Sequence, residues 1–182
     1  KTIIKKLTNL SLYILTILCI NNVQAQVIQT ENFDSGVFPP AGWNITGGPG
    51  SLWVTRNAGT FPTCNPHSAP SMARFSSRMQ VSGTQELMTS AVVDFSGNIS
   101  GATPTFSMWV YRDGTSTAGD SLTVFVNTST SLTGATRIGA VARSRFFILP
   151  VNELLDGWYQ YTFNVPSTFS ADTNYFLLNG TS

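Results

Sequence analysis

Beyond residue 25, hydrophobic side chains recur at every second position or in short blocks, a pattern of β-strands rather than of helices. Turn-forming segments rich in Gly, Pro, Asn, Asp and Ser separate these blocks, for example RDGTSTAGD and VPSTFSADT. The pattern predicts nine strands, at 27–33, 52–56, 71–75, 86–95, 105–112, 121–127, 137–142, 158–165 and 174–178. Short strands at this spacing are typical of an all-β fold, an antiparallel β-sandwich of the jelly-roll type.

Two of the predicted strands, 121–127 and 158–165, each have one apolar and one largely polar face. Successive side chains of a strand point to opposite sides, so we expect the apolar faces to form the core. The core residues are then Leu122, Val124 and Val126 in the first strand and Tyr159, Tyr161, Phe163 and Val165 in the second.

Strand 105–112 is apolar on both faces, since Trp109 and Tyr111 lie opposite Phe106, Met108 and Val110. Such a strand is central in its sheet, and its second face is either covered by a loop or exposed as a binding surface.

The segment 144–158 departs from the alternating pattern. It contains room for a short helical turn at 151–155, bracketed by Pro150 and Gly157. We expect a long loop that folds its Phe and Leu side chains over an edge of the sandwich.

Residues 1–25 have the features of a secretory signal peptide. Three lysines precede an apolar run at 10–20, too short to span a bilayer, and the small residues Val23 and Ala25 suit a cleavage site.

The predicted mature domain is 26–182, and nothing in it suggests a transmembrane segment. It has seven arginines and nine acids, a net charge of −2 at pH 7, and no basic patch that would indicate nucleic-acid binding.

Seven segments occur in an order that resembles a known family: ENFDSGVFPPAGW, SMARF, LMTSAVVDFSG, FSMWVYRD, DSLTVFVNTS, GWYQYTFNVP and NYFLLNGTS. The set is similar to the choice-of-anchor J domain, which is related to the cleaved-adhesin domains of bacterial surface haemagglutinins and more distantly to MAM domains. The resemblance implies a jelly-roll domain of an exported bacterial protein, secreted or at the cell surface, of the kind that precedes a C-terminal anchor or type IX secretion signal. The family's last strand, with its paired aspartates, has no counterpart after NYFLLNGTS, so we expect the domain to lack that strand here.

The resemblance also implies a structural calcium ion, held partly by an acid of the first strand. Asp34 is the best candidate ligand and Glu31 the second. Calcium takes six to eight oxygen ligands, and the resemblance implies that the others lie in the family's last strand, which we expect the domain to lack here. An acid that caps a turn is the alternative interpretation of both residues.

Cys64 and His67 are the single cysteine and the single histidine of 26–182. A nucleophilic pair needs an orienting third group and an oxyanion hole, and zinc needs about four ligands, neither of which this composition suggests. We therefore expect a proline-braced loop without catalytic or zinc chemistry. The nine scattered acids likewise give no sign of a glycosidase carboxylate pair.

Aromatic side chains are the remaining resource, because a flat ring can stack on the apolar C–H face of a sugar. Trp109, Tyr111 and Trp158 are the candidate ligand-binding residues, with Trp43 and Trp53 as further rings, and core packing is the alternative for each.

The sequence favours a non-catalytic secreted or surface module that binds an extracellular glycan or protein. An accessory domain of a larger exported hydrolase and a structural spacer of a surface protein are the alternatives.

Overall fold

The computed structural model describes residues 26–97, 102–115 and 119–182, so the predicted signal peptide at 1–25 lies outside the described residues. The regular secondary structure of those ranges consists entirely of β-strands, which confirms the all-β prediction. No apolar helix long enough to cross a bilayer occurs in this part of the chain. The strands are β1 (Asn44–Ile45), β2 (Trp53–Arg56), β3 (Gly59–Thr60), β4 (Thr63–Cys64), β5 (Met72–Phe75), β6 (Gln85–Thr89), β7 (Thr105–Arg112), β8 (Ser121–Asn127), β9 (Thr136–Ala142), β10 (Gly157–Asn164) and β11 (Tyr175–Thr181).

The strands form one large antiparallel sheet and three two-stranded ones. The large sheet has the order β1-β6-β11-β8-β9, so β11 lies at its centre and pairs with both β6 and β8. β10 pairs with β7 along eight residues, β2 pairs with β5, and β3 and β4 form a short hairpin.

The main core lies between the large sheet and the β7–β10 pair, as the alternating faces predicted. Val124 of β8 is fully buried and packs in one cluster with Leu178 of β11 and Met88 of β6. Phe163 of β10 and Met108 of β7 approach this cluster from the opposite side. The two layers therefore make a β-sandwich, in which the apolar faces of the alternating strands are buried against each other.

Seven of the nine predicted strands match observed ones closely. The prediction for 86–95 is too long, because β6 ends at Thr89 and only Val93 makes a further bridge, to Asn174. The prediction of a strand at 27–33 is wrong. The backbone turns there instead: Phe33 has a φ of 62°, and its N–H donates to the Glu31 carboxylate at 2.5 Å.

The loop at 144–156 differs from its prediction in two respects. It forms no helical turn, and its apolar side chains point outward, with Ile148 80% and Leu154 86% exposed. The reason is Arg112 of β7, which is fully buried and draws the loop's carbonyl groups inward. Its guanidinium donates to the backbone oxygens of Ser144 at 2.6 Å and Phe147 at 2.9 Å, and to that of Val151.

Candidate ligand-binding site

The β7–β10 pairing brings the three predicted ligand-binding aromatics together on one face. Trp158 lies directly opposite Tyr111, and Gln160 lies opposite Trp109, so alternation places all three rings on the side away from the core. The Tyr111 and Trp158 ring centroids are 5.6 Å apart in an edge-to-face arrangement. Trp109 is 45% exposed, so this face is a surface rather than part of the core.

His67 is a fourth ring of this group, and the sequence interpretation missed it. Its imidazole stacks on Trp109 with the centroids 3.9 Å apart, and it meets Trp158 edge-to-face at 5.8 Å. The indole N–H of Trp158 donates to the Asn65 carbonyl at 3.0 Å, which fixes the loop onto the strands. We call His67, Trp109, Tyr111 and Trp158 the aromatic cluster. The sequence left open whether this face of β7 is covered by a loop or exposed. The structure shows both, because the loop that carries His67 covers part of Trp109 while 45% of the residue stays exposed.

A cleft of about 570 Å³ borders the aromatic cluster. Trp109 and Tyr111 form part of its wall. The β3–β4 hairpin, β5 with the segment after it, the start of β8 and the end of β9 form most of the rest, and β2 and β11 contribute one residue each. Its volume lies within the range of pockets that hold small ligands. The polar and charged residues of this mostly apolar lining are Thr60, Arg74, Ser76, Ser77, Arg78, Gln80, Asp120, Ser121 and Arg143.

The β3–β4 hairpin shapes the mouth of the cleft. Gly59 pairs with Cys64, and a Cβ atom at Gly59 would lie 2.6 Å from the Cys64 sulfur, so this close approach requires glycine. The hairpin tip carries Phe61, which is exposed and has the Arg78 guanidinium 3.5 Å from its ring centroid. This cation–π contact joins the hairpin to the segment after β5 across the mouth.

A charged network lies at one end of the cleft. Arg143 donates to Asp113 at 3.0 Å and to Asp120 at 3.3 Å, and Asp120 also accepts a hydrogen bond from Ser77 at 2.6 Å. Burial alone would raise the pKa of Asp113, but the hydrogen bonds from Thr115 and Arg143 outweigh it and hold the pKa below its ordinary value. The Asp113 carboxylate is therefore held ionised beside Arg143, which it shares with Asp120.

Cys64 lines the cleft, but its environment does not activate it. Burial raises the pKa of the thiol, and the charge of Asp113 adds to the increase, against an opposing backbone hydrogen bond at Gly59. A raised pKa leaves less thiolate, which is the nucleophilic form. Among the hydrogen bonds of the described residues, none joins Cys64 to His67.

The remaining predicted candidates have structural contacts. Trp53 is 5% exposed, and Trp43 packs edge-to-face on Phe33 at 5.6 Å, so both belong to the core. The Glu31 carboxylate caps the Phe33 turn, and Asp34 accepts a hydrogen bond from the Asn32 amide at 2.7 Å. In the ranges that the structure describes, no three His, Cys, Asp or Glu side chains are grouped so that they could hold a metal ion. Calcium binding at Asp34 and Glu31 stays a prediction.

The fold has a counterpart among solved structures, although scans against protein-family models and curated proteins give no match. The K1 cleaved adhesin domain of Lys-gingipain (Kgp) from Porphyromonas gingivalis W83 is similar, with a TM-score of 0.54. The two chains are 16% identical, and the similarity covers 84% of this chain and 86% of that one. The chain thus has an adhesin-like β-sandwich fold, with an aromatic-walled cleft on its surface.

Proposed function

We propose that this chain is a non-catalytic binding module of a secreted or cell-surface bacterial protein, and that its ligand is a glycan bound in the cleft. The observation that carries the proposal is the half-exposed Trp109 ring, which stands beside Tyr111 in the wall of a cleft of about 570 Å³. A flat ring of this kind can stack on the apolar face of a sugar, while neighbouring polar groups bind its hydroxyls. The adhesin-like fold supports the same role.

Binding rather than catalysis is supported by the chemistry of the cleft. The Cys64 thiol is disfavoured as a nucleophile by its raised pKa, and the His67 ring is engaged with Trp109 and Trp158. Asp120, the carboxylate among the lining residues, is already bound by Arg143 and Ser77. A general acid or base would need a free group with a suitable pKa at this position.

A glycan array with the native protein and Trp109→Ala tests the proposal. We expect the variant to bind its best glycan about tenfold more weakly, a loss of about 1.4 kcal/mol. Phe146→Ala is a matched control, because it removes another exposed aromatic ring outside the cleft. No binding to any glycan by folded protein would contradict the proposal, and equal losses in both variants would contradict the assignment to the cleft. Turnover of peptide or glycoside substrates that is lost in His67→Ala would contradict the non-catalytic role.

A further inference from the structure

The cleft contains more positive than negative charge. Three arginines and one aspartate line it, namely Arg74, Arg78, Arg143 and Asp120. Arg143 is neutralised, since it contacts both Asp113 and Asp120. Arg74 and Arg78 have no carboxylate within 4.0 Å among the described residues. The ion pairs found there are the two of Arg143 and the one between Arg145 and Asp156. Their charges are therefore uncompensated.

Arg74 is positioned in the cleft by its strand. It lies on β5 opposite Val54, and its Nη2 donates to the Ser76 hydroxyl at 3.2 Å, while its Nε has no partner in the described part of the chain. Burial lowers the pKa of Arg74, and the nearby positive charge of Arg56 lowers it further. No neighbouring carboxylate offsets these two effects on the pKa of Arg74.

Arg78 is positioned differently, by the ring of Phe61. This contact orients the guanidinium at the mouth of the cleft but uses only its face. A guanidinium binds a carboxylate in a bidentate manner through the N–H groups at its edge. Arg78 is exposed, so these groups are accessible to a ligand.

We propose that the ligand of the cleft is an acidic saccharide, whose carboxylate binds Arg74 and Arg78 while its sugar ring packs on Trp109. The inference rests on the proposed function and adds the charge of the ligand to it. A saccharide is favoured over an acidic peptide because the arginines share the cleft with the exposed Trp109 ring and with the Tyr111 ring. Such rings match the flat apolar face of a pyranose, whereas an acidic peptide side chain has no comparable face.

The test uses oligosaccharides in matched pairs, each consisting of a uronate- or sialate-bearing oligosaccharide and its carboxyl-reduced neutral form. The native protein is expected to bind the acidic member of its best pair at least tenfold more tightly. Arg78→Gln and Arg74→Gln are each expected to remove most of that preference, because the lost guanidinium binds the carboxylate that only the acidic member carries. Higher salt should weaken only the acidic member, because it screens charge.

Arg137→Gln is the matched control, since Arg137 is an exposed arginine of β9 outside the cleft and its loss changes the net charge equally. A loss with Arg137→Gln as large as with Arg78→Gln would overturn the inference, because net charge alone would then explain it. Arg78 is on the surface, so Arg78→Gln keeps the test valid if Arg74→Gln fails to fold.

The outcomes separate this inference from the proposed function. Equal affinity for both members of a pair, with loss in Trp109→Ala, would support a glycan site and overturn the acidic ligand. Arginine-dependent binding of a poly-glutamate peptide that Trp109→Ala leaves unchanged would overturn the saccharide. Binding of neither member of any pair would contradict both.

Discussion

Asp113 is a fully buried carboxylate whose charge is stabilised by Arg143 and Thr115. Its side chain is inaccessible, and Arg143, which is 21% exposed, supplies the opposite charge at 3.0 Å. The Thr115 backbone N–H donates to the other carboxylate oxygen at 2.9 Å. A buried charge with these partners stabilises the fold only while all of them are present, because desolvation is costly without compensation.

Asp113→Asn should lower the free energy of unfolding at pH 7 by about 3 kcal/mol, near the lower end for a broken buried pair, since Arg143 is partly exposed. The folded pKa of Asp113 lies below the unfolded value of about 3.9, so the carboxylate stabilises the fold above that value. This contribution is lost as the pH falls through the folded pKa. Denaturant unfolding from pH 7 to pH 3 should therefore show the difference between wild type and variant shrinking below about pH 4. The exposed Asp172→Asn is the control, and a difference independent of pH would contradict the assignment.

Gly180 shows why a residue type alone misled the sequence interpretation. The strand predicted at 174–178 stopped before the Asn-Gly pair, a typical turn sequence, yet Asn179 and Gly180 lie inside β11. A Cβ atom at Gly180 would lie 2.5 Å from the Phe75 ring, so glycine is required there by packing and not by backbone conformation. The contact joins residues more than a hundred positions apart, and no local pattern reveals it.

At the scale of elements, the loop 144–156 is shaped from inside the protein. Besides the three backbone oxygens, Arg112 donates to the Tyr161 hydroxyl at 3.1 Å, and that hydroxyl donates to Glu153 at 2.9 Å. Arg145 adds an ion pair with Asp156 at 2.7 Å. These bonds fix the backbone and leave the apolar side chains outside. Alternation of residue types cannot predict such a loop, because its geometry comes from a side chain of another strand.

Arg112→Lys should lower the free energy of unfolding by about 2 to 4 kcal/mol. An ammonium group cannot reach the four acceptors that the flat guanidinium bonds, so buried carbonyls lose their donors. Hydrogen exchange should show faster exchange at the Phe147 and Glu153 amides, which bond within the loop. Arg137→Lys serves as the control. Unchanged protection of these amides would show that Arg112 does not hold the loop.

At the scale of the whole molecule, period-two patterning was enough to predict the layers. Val124, Val126 and Tyr161 are buried as expected, while Gln160 and Thr162 face solvent. The cleft could not be predicted in this way. Its lining comes from segments as distant as the β3–β4 hairpin and β9, which only the folded chain brings together. Trp109 was recognised by its unusual position on a strand apolar on both faces, whereas Arg74 and Arg78 carried no comparable signal.

Calcium binding near Asp34 and Glu31 is a property of the whole domain and stays a prediction. A ligand that binds only the folded state at 100 times its Kd stabilises it by about 2.7 kcal/mol. For a domain of this size, that corresponds to a shift in Tm of about 5 to 10 °C. Thermal unfolding of a domain that includes the family's last strand, with calcium and then with EDTA, measures the shift, and Asp34→Asn should abolish it. A Tm unaffected by EDTA would remove both residues as ligands.

The buried Arg112 has a consequence for how the surface of this protein can vary. The path of the loop 144–156 is set from within, by a side chain that no partner can reach. Substitutions at its outward positions, such as Ile148 and Leu154, leave those internal bonds untouched. The exposed side chains of this loop can therefore be substituted while its backbone conformation is kept, which makes the loop suitable for grafting binding sequences.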